Sequence, residues 1–156
     1  MAILNPGNKV PDFSLTNEKG ETVTRDGLLG SKYILFFYPK DDSPGCTKEA
    51  CSIRDHYKVF ENKGFKVYGV SPDTEKKHQK FIEKYEFQYS LLSDPDKKMI
   101  NDFGLFGKKI FMGKEIMGVY RTTIAVDESG MISHIIDKVN TKEHGKQLIE
   151  ALNLNG

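Results

Sequence analysis

Apolar residues change period several times along the chain, and each change marks an element. Tyr33-Ile34-Leu35-Phe36-Phe37-Tyr38 is an unbroken apolar run. Short, aromatic and β-branched, it predicts a buried strand. Pro39 ends it, and Ser43-Pro44-Gly45 predicts a turn. After Gly45 the period becomes helical. Cys46, Ala50, Ile53, Tyr57 and Phe60 recur at spacings of four, three, four and three, which is one stripe of a helix. Gly64 stands where a glycine closes a helix C-terminus. The pattern is therefore strand, tight loop, helix, with Cys46 in the first helical turn.

The remaining chain reads in the same way. Asp12 to Leu15 and Glu21 to Thr24 alternate around the turn Asn17-Glu18-Lys19-Gly20 and predict a hairpin leading into the buried strand. Phe65 to Ser71 is a further strand. Asp73 or Thr74 caps a second helix whose stripe is His78, Phe81, Ile82 and Tyr85. Leu91-Leu92 marks a short strand, and a short helix spans about Asp96 to Phe103. Residues 104 to 115 are rich in glycine and predict a loop. Met117 to Val126 and Met131 to Lys138 predict two strands joined by Asp127-Glu128-Ser129-Gly130. Thr141 can cap a last helix that buries Leu148, Ile149 and Leu152. The order β-α-β, helix and strand, then β-β-α predicts an α/β protein: one mixed sheet with helices on both faces, in one domain over residues 1–156. A cysteine at the C-terminal end of a central strand lies where such folds place chemistry.

Composition narrows the function. With 38% hydrophobic and 29% charged residues the chain reads as a soluble globular protein. A formal net charge of +1 speaks against an extended nucleic-acid or membrane surface. No apolar run approaches a membrane span. The start, Met1 to Pro6, has no basic segment and no long apolar segment, so no secretory leader is expected and the cytoplasm is the expected compartment. Two cysteines in a reducing compartment point to catalysis rather than to a structural bridge.

A thiol reacts as its thiolate, and a helix N-terminus stabilises negative charge. Local charges do not decide the case, because Lys40, Lys48 and Arg54 are offset by Asp41, Asp42, Glu49 and Asp55. A cation from elsewhere in the fold would help. Cys46 and Cys51 could instead be small apolar core residues. Other chemistry lacks support. His56, His78, His134 and His144 have no zinc spacing to the cysteines. Gly107 to Lys114 lacks the spacing and the following Ser or Thr of a phosphate loop, and no dinucleotide fingerprint is present. Lys108-Lys109 read as solvated surface.

The segment Pro39-x-x-x-Ser43-x-x-Cys46 resembles the peroxiredoxin signature Pro-x-x-x-Thr/Ser-x-x-Cys. The longer string from Tyr38 to Asp55 resembles the bacterioferritin comigratory protein (PrxQ-type) subfamily, and the similarity extends over nearly the whole chain. The resemblance implies a thioredoxin-like fold with an N-terminal β-hairpin. It implies Cys46 as peroxidatic nucleophile and Cys51 as resolving cysteine. It also implies that Arg121, in Arg-Thr-Thr on a late strand, stands beside the thiolate, where a fixed cation would stabilise it and bind peroxide oxygens. Arg54 is the alternative cation. Ser43 can donate to the thiolate or serve as a turn residue. Pro39 shapes and shields the loop, and Glu49 either supports the arginine or sits exposed in the first turn. The implied activity is reduction of hydrogen peroxide and organic hydroperoxides by a monomer recycled by thioredoxin or a similar dithiol, without metal, haem, flavin or nucleotide. A thioredoxin-type electron carrier would want Cys-x-x-Cys, and a binding or holdase module would use the cysteines only for packing.

Overall fold

The computed structural model describes residues 4–155. The reading of the first three residues as part of a leaderless start lies outside them. Nine strands and four α-helices, with one short 3-10 turn at Asp26–Leu28, follow in chain order among the described residues. They are β1 (Ser14–Asn17), β2 (Thr22–Thr24), β3 (Lys32–Phe37), α1 (Pro44–Asn62), β4 (Phe65–Ser71), α2 (Glu75–Tyr85) and β5 (Ser90–Ser93). Then come α3 (Lys98–Asp102), β6 (Phe106–Phe111), β7 (Lys114–Val119), β8 (Thr122–Val126), β9 (Ile132–Ile136) and α4 (His144–Ala151). Seven strands form one mixed sheet in the order β2-β1-β5-β4-β3-β8-β9. The β3/β4 and β4/β5 pairs are parallel, as their helical crossovers require, and the others are antiparallel.

β3 sits near the centre, and its unbroken apolar run follows from that position. Tyr33, Leu35 and Phe37 enter one core with Phe13, Val70, Ile100 and Phe103. Ile34, Phe36 and Tyr38 enter the other with Cys46, Ala50, Ile53, Phe81 and Leu148. Alternate side chains of a strand point to opposite faces, so a strand covered on both sides must be apolar throughout. α1, α2 and α4 cover the second core. This is the thioredoxin-like arrangement of a central mixed sheet flanked by helices, with the N-terminal hairpin β1–β2 on its edge.

Three expectations are corrected. Residues 104 to 115 are not a loop: β6 and β7 form a two-stranded antiparallel ribbon that pairs Phe106 with Val119 and Phe111 with Lys114. Its turn, Met112-Gly113, has positive φ at both residues, 51° and 78°, as the tight hairpin turn matching strand twist demands. The glycines suggested irregularity, yet Gly107 and Gly118 face each other across the ribbon. They leave room for Tyr120 and Lys109, whose side chains would meet a Cβ there. Met117 to Val126 is not one strand either, because the chain leaves the ribbon at Tyr120-Arg121 before β8 begins. Thr141 does not cap the last helix. α4 begins at His144 after Glu143, which offers no side-chain cap.

Candidate active site

The loop after β3 is pinned from beneath. Tyr38 Oη donates to Asp41 Oδ1 at 2.5 Å, and Asp41 Oδ2 lies 2.6 Å from His78 Nδ1. His78 Nε2 donates to the Leu92 carbonyl at 3.0 Å, and the Asp41 amide donates to Asp73 Oδ2 at 2.7 Å. His78, a member of the predicted α2 stripe, is fully buried. These bonds tie the ends of β3, β4 and β5 to the loop and fix where α1 starts. Asp42, at φ 60°, accepts from Lys84 Nζ and Tyr85 Oη of α2. Those donors hold its carboxyl below the usual range. Pro39 is half-buried on the turn.

α1 opens with Pro44 at its first position, where a missing N–H costs nothing. Ser43 is the residue before it. Its hydroxyl donates to the Lys40 carbonyl at 3.0 Å, a contact within the turn. Cys46 follows in the first turn and is 1% exposed. Arg121, from the break between β7 and β8, reaches it: Nη1 lies 3.4 Å from Cys46 Sγ and donates to Glu49 Oε1 at 2.7 Å. A Cβ on Gly45 would sit 3.3 Å from Arg121 Nη2, so the glycine before the cysteine makes room for the guanidinium. Burial works against the charge of Arg121, but Cys46 and Glu49 together push its pKa up. Glu49 is fully buried. That burial drives its carboxyl up to about 7 against the pull of Arg121.

The structure thus brings Cys46, Glu49 and Arg121 together and places Pro39 and Ser43 on the loop leading to them. Arg54, the alternative cation, is turned to the Tyr85 carbonyl and to Asp55. Cys51 is half-buried on the same helix, and both cysteines are free thiols. Arg121 also lines an open cleft of about 690 Å³ with Leu105, Lys109, Val119 and Tyr120. Cys46 does not line that cleft, so Arg121 is the residue common to cleft and thiol.

Three residues were missed by the sequence reading. Lys109 is half-buried and donates to the Val119 carbonyl at 2.9 Å. Burial and then Arg121 push its pKa down, while Cys46 opposes them. Only the register of the ribbon reveals it. Thr123 and His144 are buried behind Glu49, 2.7 Å apart. A signal for His144 was present, since it stands four residues before Leu148 on the buried stripe. No group of three or more His, Cys, Asp or Glu side chains able to hold a metal ion occurs among the described residues.

The profile of the AhpC/TSA family matches residues 6–135. The Bacillus subtilis protein named peroxiredoxin Bcp is 39% identical over 146 residues, 94% of this chain and 93% of the relative. A solved Mycobacterium tuberculosis structure, peroxidoxin BcpB, is 34% identical over 97% of both chains with a TM-score of 0.82. The Xanthomonas campestris bacterioferritin comigratory protein, solved in trapped complexes bearing on its alkyl peroxide reduction activity, is 30% identical over 90% of both chains with a TM-score of 0.83. The strand-loop-helix site described above therefore sits in a known setting: the chain belongs to the AhpC/TSA family and, within it, to the Bcp/PrxQ peroxiredoxins.

Proposed function

We propose that Cys46 is the nucleophile of a thiol peroxidase, and the observation that carries this is the Arg121 guanidinium 3.4 Å from a buried Cys46 sulfur at a helix start. The Cys46 thiolate attacks one oxygen of a hydroperoxide. An S–O bond forms, the O–O bond breaks, and hydroxide or alkoxide leaves and takes a proton. Arg121 stabilises the thiolate before attack and the charge on the departing oxygen during it. Cys46 is left as a sulfenic acid. The Cys51 thiolate then attacks that sulfur, the S–O bond breaks, hydroxide leaves and takes a proton to become water, and an intrachain disulfide remains. A dithiol reductant, thioredoxin in this proposal, returns both thiols by exchange. Hydrogen peroxide and organic hydroperoxides are both substrates in this reading. The alkyl peroxide reduction of the Xanthomonas relative and the cleft that shares Arg121 support the organic class. The protein works as a monomeric cytoplasmic single domain over residues 1–156. No helix among the described residues is long and apolar enough to cross a membrane.

The disulfide requires motion. α1 runs unbroken from Pro44 to Asn62. Five residues of regular helix separate Cα atoms by about 8–9 Å and by about 140° around the axis. A disulfide tolerates about 7 Å. The first turns therefore unwind after oxidation, releasing the bond from Tyr89 Oη to the Ala50 carbonyl and that from the Gly145 amide to Ser52 Oγ. A coupled assay with peroxide, thioredoxin, thioredoxin reductase and NADPH tests the whole cycle. NADPH consumption that needs both peroxide and this protein is expected; no consumption above the protein-free rate would overturn the reading.

A further inference from the structure

Arg121 offers one positive charge to two buried acids. Nη1 faces both Cys46 Sγ and Glu49 Oε1. Glu49 Oε1 is used by Arg121, but Oε2 is buried with no hydrogen-bond partner. An orphaned carboxylate oxygen in a dry core is costly, and a proton on it removes the cost only if that proton has somewhere to go.

His144 supplies the place. Its Nε2 lies 3.6 Å from Glu49 Oε2. Its tautomer is fixed by a chain of contacts leading to backbone groups. Gln147 Oε1 accepts from the Asn140 amide at 3.0 Å, and Gln147 Nε2 donates to the Lys138 carbonyl at 2.9 Å, so the amide has one orientation. The same Oε1 is 2.8 Å from His144 Nδ1, which must therefore carry the hydrogen. Nε2 is left with a lone pair, directed at Thr123 Oγ1 at 2.7 Å and toward Glu49. Burial keeps the imidazole neutral, with its pKa pushed down to about 4. Other ionisable groups near this cluster are Lys109 of β6, which feels Arg121 and Cys46, Tyr89 before β5, which feels Glu49 and Cys51, and His56 of α1, which packs against Gly145 of α4 with its Nδ1 2.8 Å from the Ser52 carbonyl.

We propose that Cys46 and Glu49 share one proton across Arg121, and that His144 is the positioning residue that keeps it on Glu49. With Glu49 ionised, Oε2 faces an imidazole that has no proton to give, the Thr123 hydroxyl holds the Nε2 lone pair, and the charge of Arg121 is spent on the carboxylate. With Glu49 protonated, its O–H closes the 3.6 Å gap and displaces the Thr123 hydroxyl from Nε2. Arg121 is then free for the Cys46 thiolate. The exchange conserves charge: Cys46 thiol with Glu49 carboxylate becomes Cys46 thiolate with Glu49 acid. The two groups titrate as a pair and not as independent sites. The inference rests on Cys46 being the working thiol, but it is read without peroxide turnover, so its failure is separate from failure of the peroxidase reading.

The test is a pair of titrations on reduced protein carrying Cys51→Ser: thiolate absorbance for Cys46 and the infrared band of a protonated carboxyl for Glu49, the latter identified by its loss in Glu49→Gln. His144→Leu removes the acceptor. The Glu49 band should then vanish about one pH unit lower, and the Cys46 thiolate should appear about one pH unit higher, the size of one buried hydrogen bond. In a Glu49→Gln background, whose amide is always neutral, His144→Leu should no longer move Cys46; a merely structural role for His144 would still move it. Reciprocally, Cys46→Ser should shift loss of the Glu49 band to lower pH, because Arg121 is then free for the carboxylate. If His144→Leu does not fold, Cys46→Ser and Glu49→Gln decide. A Glu49 band unmoved by Cys46→Ser, or a Cys46 titration unmoved by Glu49→Gln, overturns the proposal.

Discussion

Cys46 and Cys51 lie five residues apart on one helix, and each has an arginine within electrostatic reach. Their settings nevertheless differ in kind. Arg121 points its Nη1 at Cys46 Sγ from another part of the fold and is 24% exposed. Its competitor for that charge is a single buried carboxyl. Arg54 comes from the same helix as Cys51, and its donors are turned to Asp55 and to the Tyr85 carbonyl. Burial pushes the Cys51 thiol up, Arg54 only partly opposes it, and Asp55 adds to the rise. In the proposed cycle, what separates the nucleophile from the resolving thiol is the direction of the cation's hydrogen bonds, not its proximity. A cysteine that attacks only after the helix opens has no need of a preformed cation.

Cys46→Ser should lose peroxide turnover by more than about a thousandfold, as removal of a nucleophile does, while circular dichroism stays native. Retained coupled-assay activity would move the nucleophile to Cys51. Arg121→Ala should slow oxidation of the thiol by about a hundredfold to a thousandfold, the usual loss for one preorganised donor to developing charge. Stopped-flow fluorescence of the peroxide step reads this, and Arg54→Ala is the control expected to change it little. Equal losses in the two variants would erase the distinction drawn between the arginines.

A buried carboxyl belongs to the Cys46 side alone, and it leaves a mark on stability. Glu49 has its pKa raised from 4.5 to about 7 in the folded protein. Below pH 4.5 both states hold the proton, and there is no cost. As pH rises toward 7 the unfolded chain ionises first, so the folded state loses up to about 3 kcal/mol by linkage. Denaturation of Glu49→Gln across that window should lack the slope, so its stability relative to the wild type should grow with pH. Parallel curves would contradict it. The smallest effect is expected on the Cys51 side. Tyr89→Phe removes the donor that holds the Ala50 carbonyl at 2.6 Å. About 1 kcal/mol less restraint should speed disulfide closure about fivefold after oxidation. Rapid-quench alkylation measures it, and an unchanged rate would show that this turn does not gate closure.

The sequence carried the parts of the site that lie on one continuous segment. β3, the loop and α1 were legible because Pro39, Gly45 and the stripe from Cys46 to Phe60 each obey a local rule. β4 was readable in full, from Phe65 to Ser71, because Gly64 and Pro72 bound a short stretch of β-formers, Phe65, Val67, Tyr68 and Val70. The ribbon was not readable. Its exposed faces carry Ile110, Phe111, Met112 and Met117 beside lysines, so no clean alternation marks it. The arginine was legible only through family resemblance, because 75 residues separate Arg121 from Cys46 and a strand arginine is ordinarily solvated. Ser43 carried two readings, a turn residue or a partner of the thiolate, and its bond to the Lys40 carbonyl belongs to the turn. His144 was passed over because metal spacing says nothing of a histidine that, in the proposal above, accepts one hydrogen bond from Glu49.

Every later step of the proposed cycle follows from Cys46 being oxidised first. Reduced Cys51→Ser protein, given one equivalent of hydrogen peroxide in the presence of dimedone and digested for mass spectrometry, reads that event without any partner protein. The predicted result is a single dimedone adduct on the peptide containing Cys46. The wild type, treated without dimedone, should give the Cys46–Cys51 disulfide. Absence of the adduct, with Cys46 recovered as a free thiol while peroxide is consumed, would contradict the central claim.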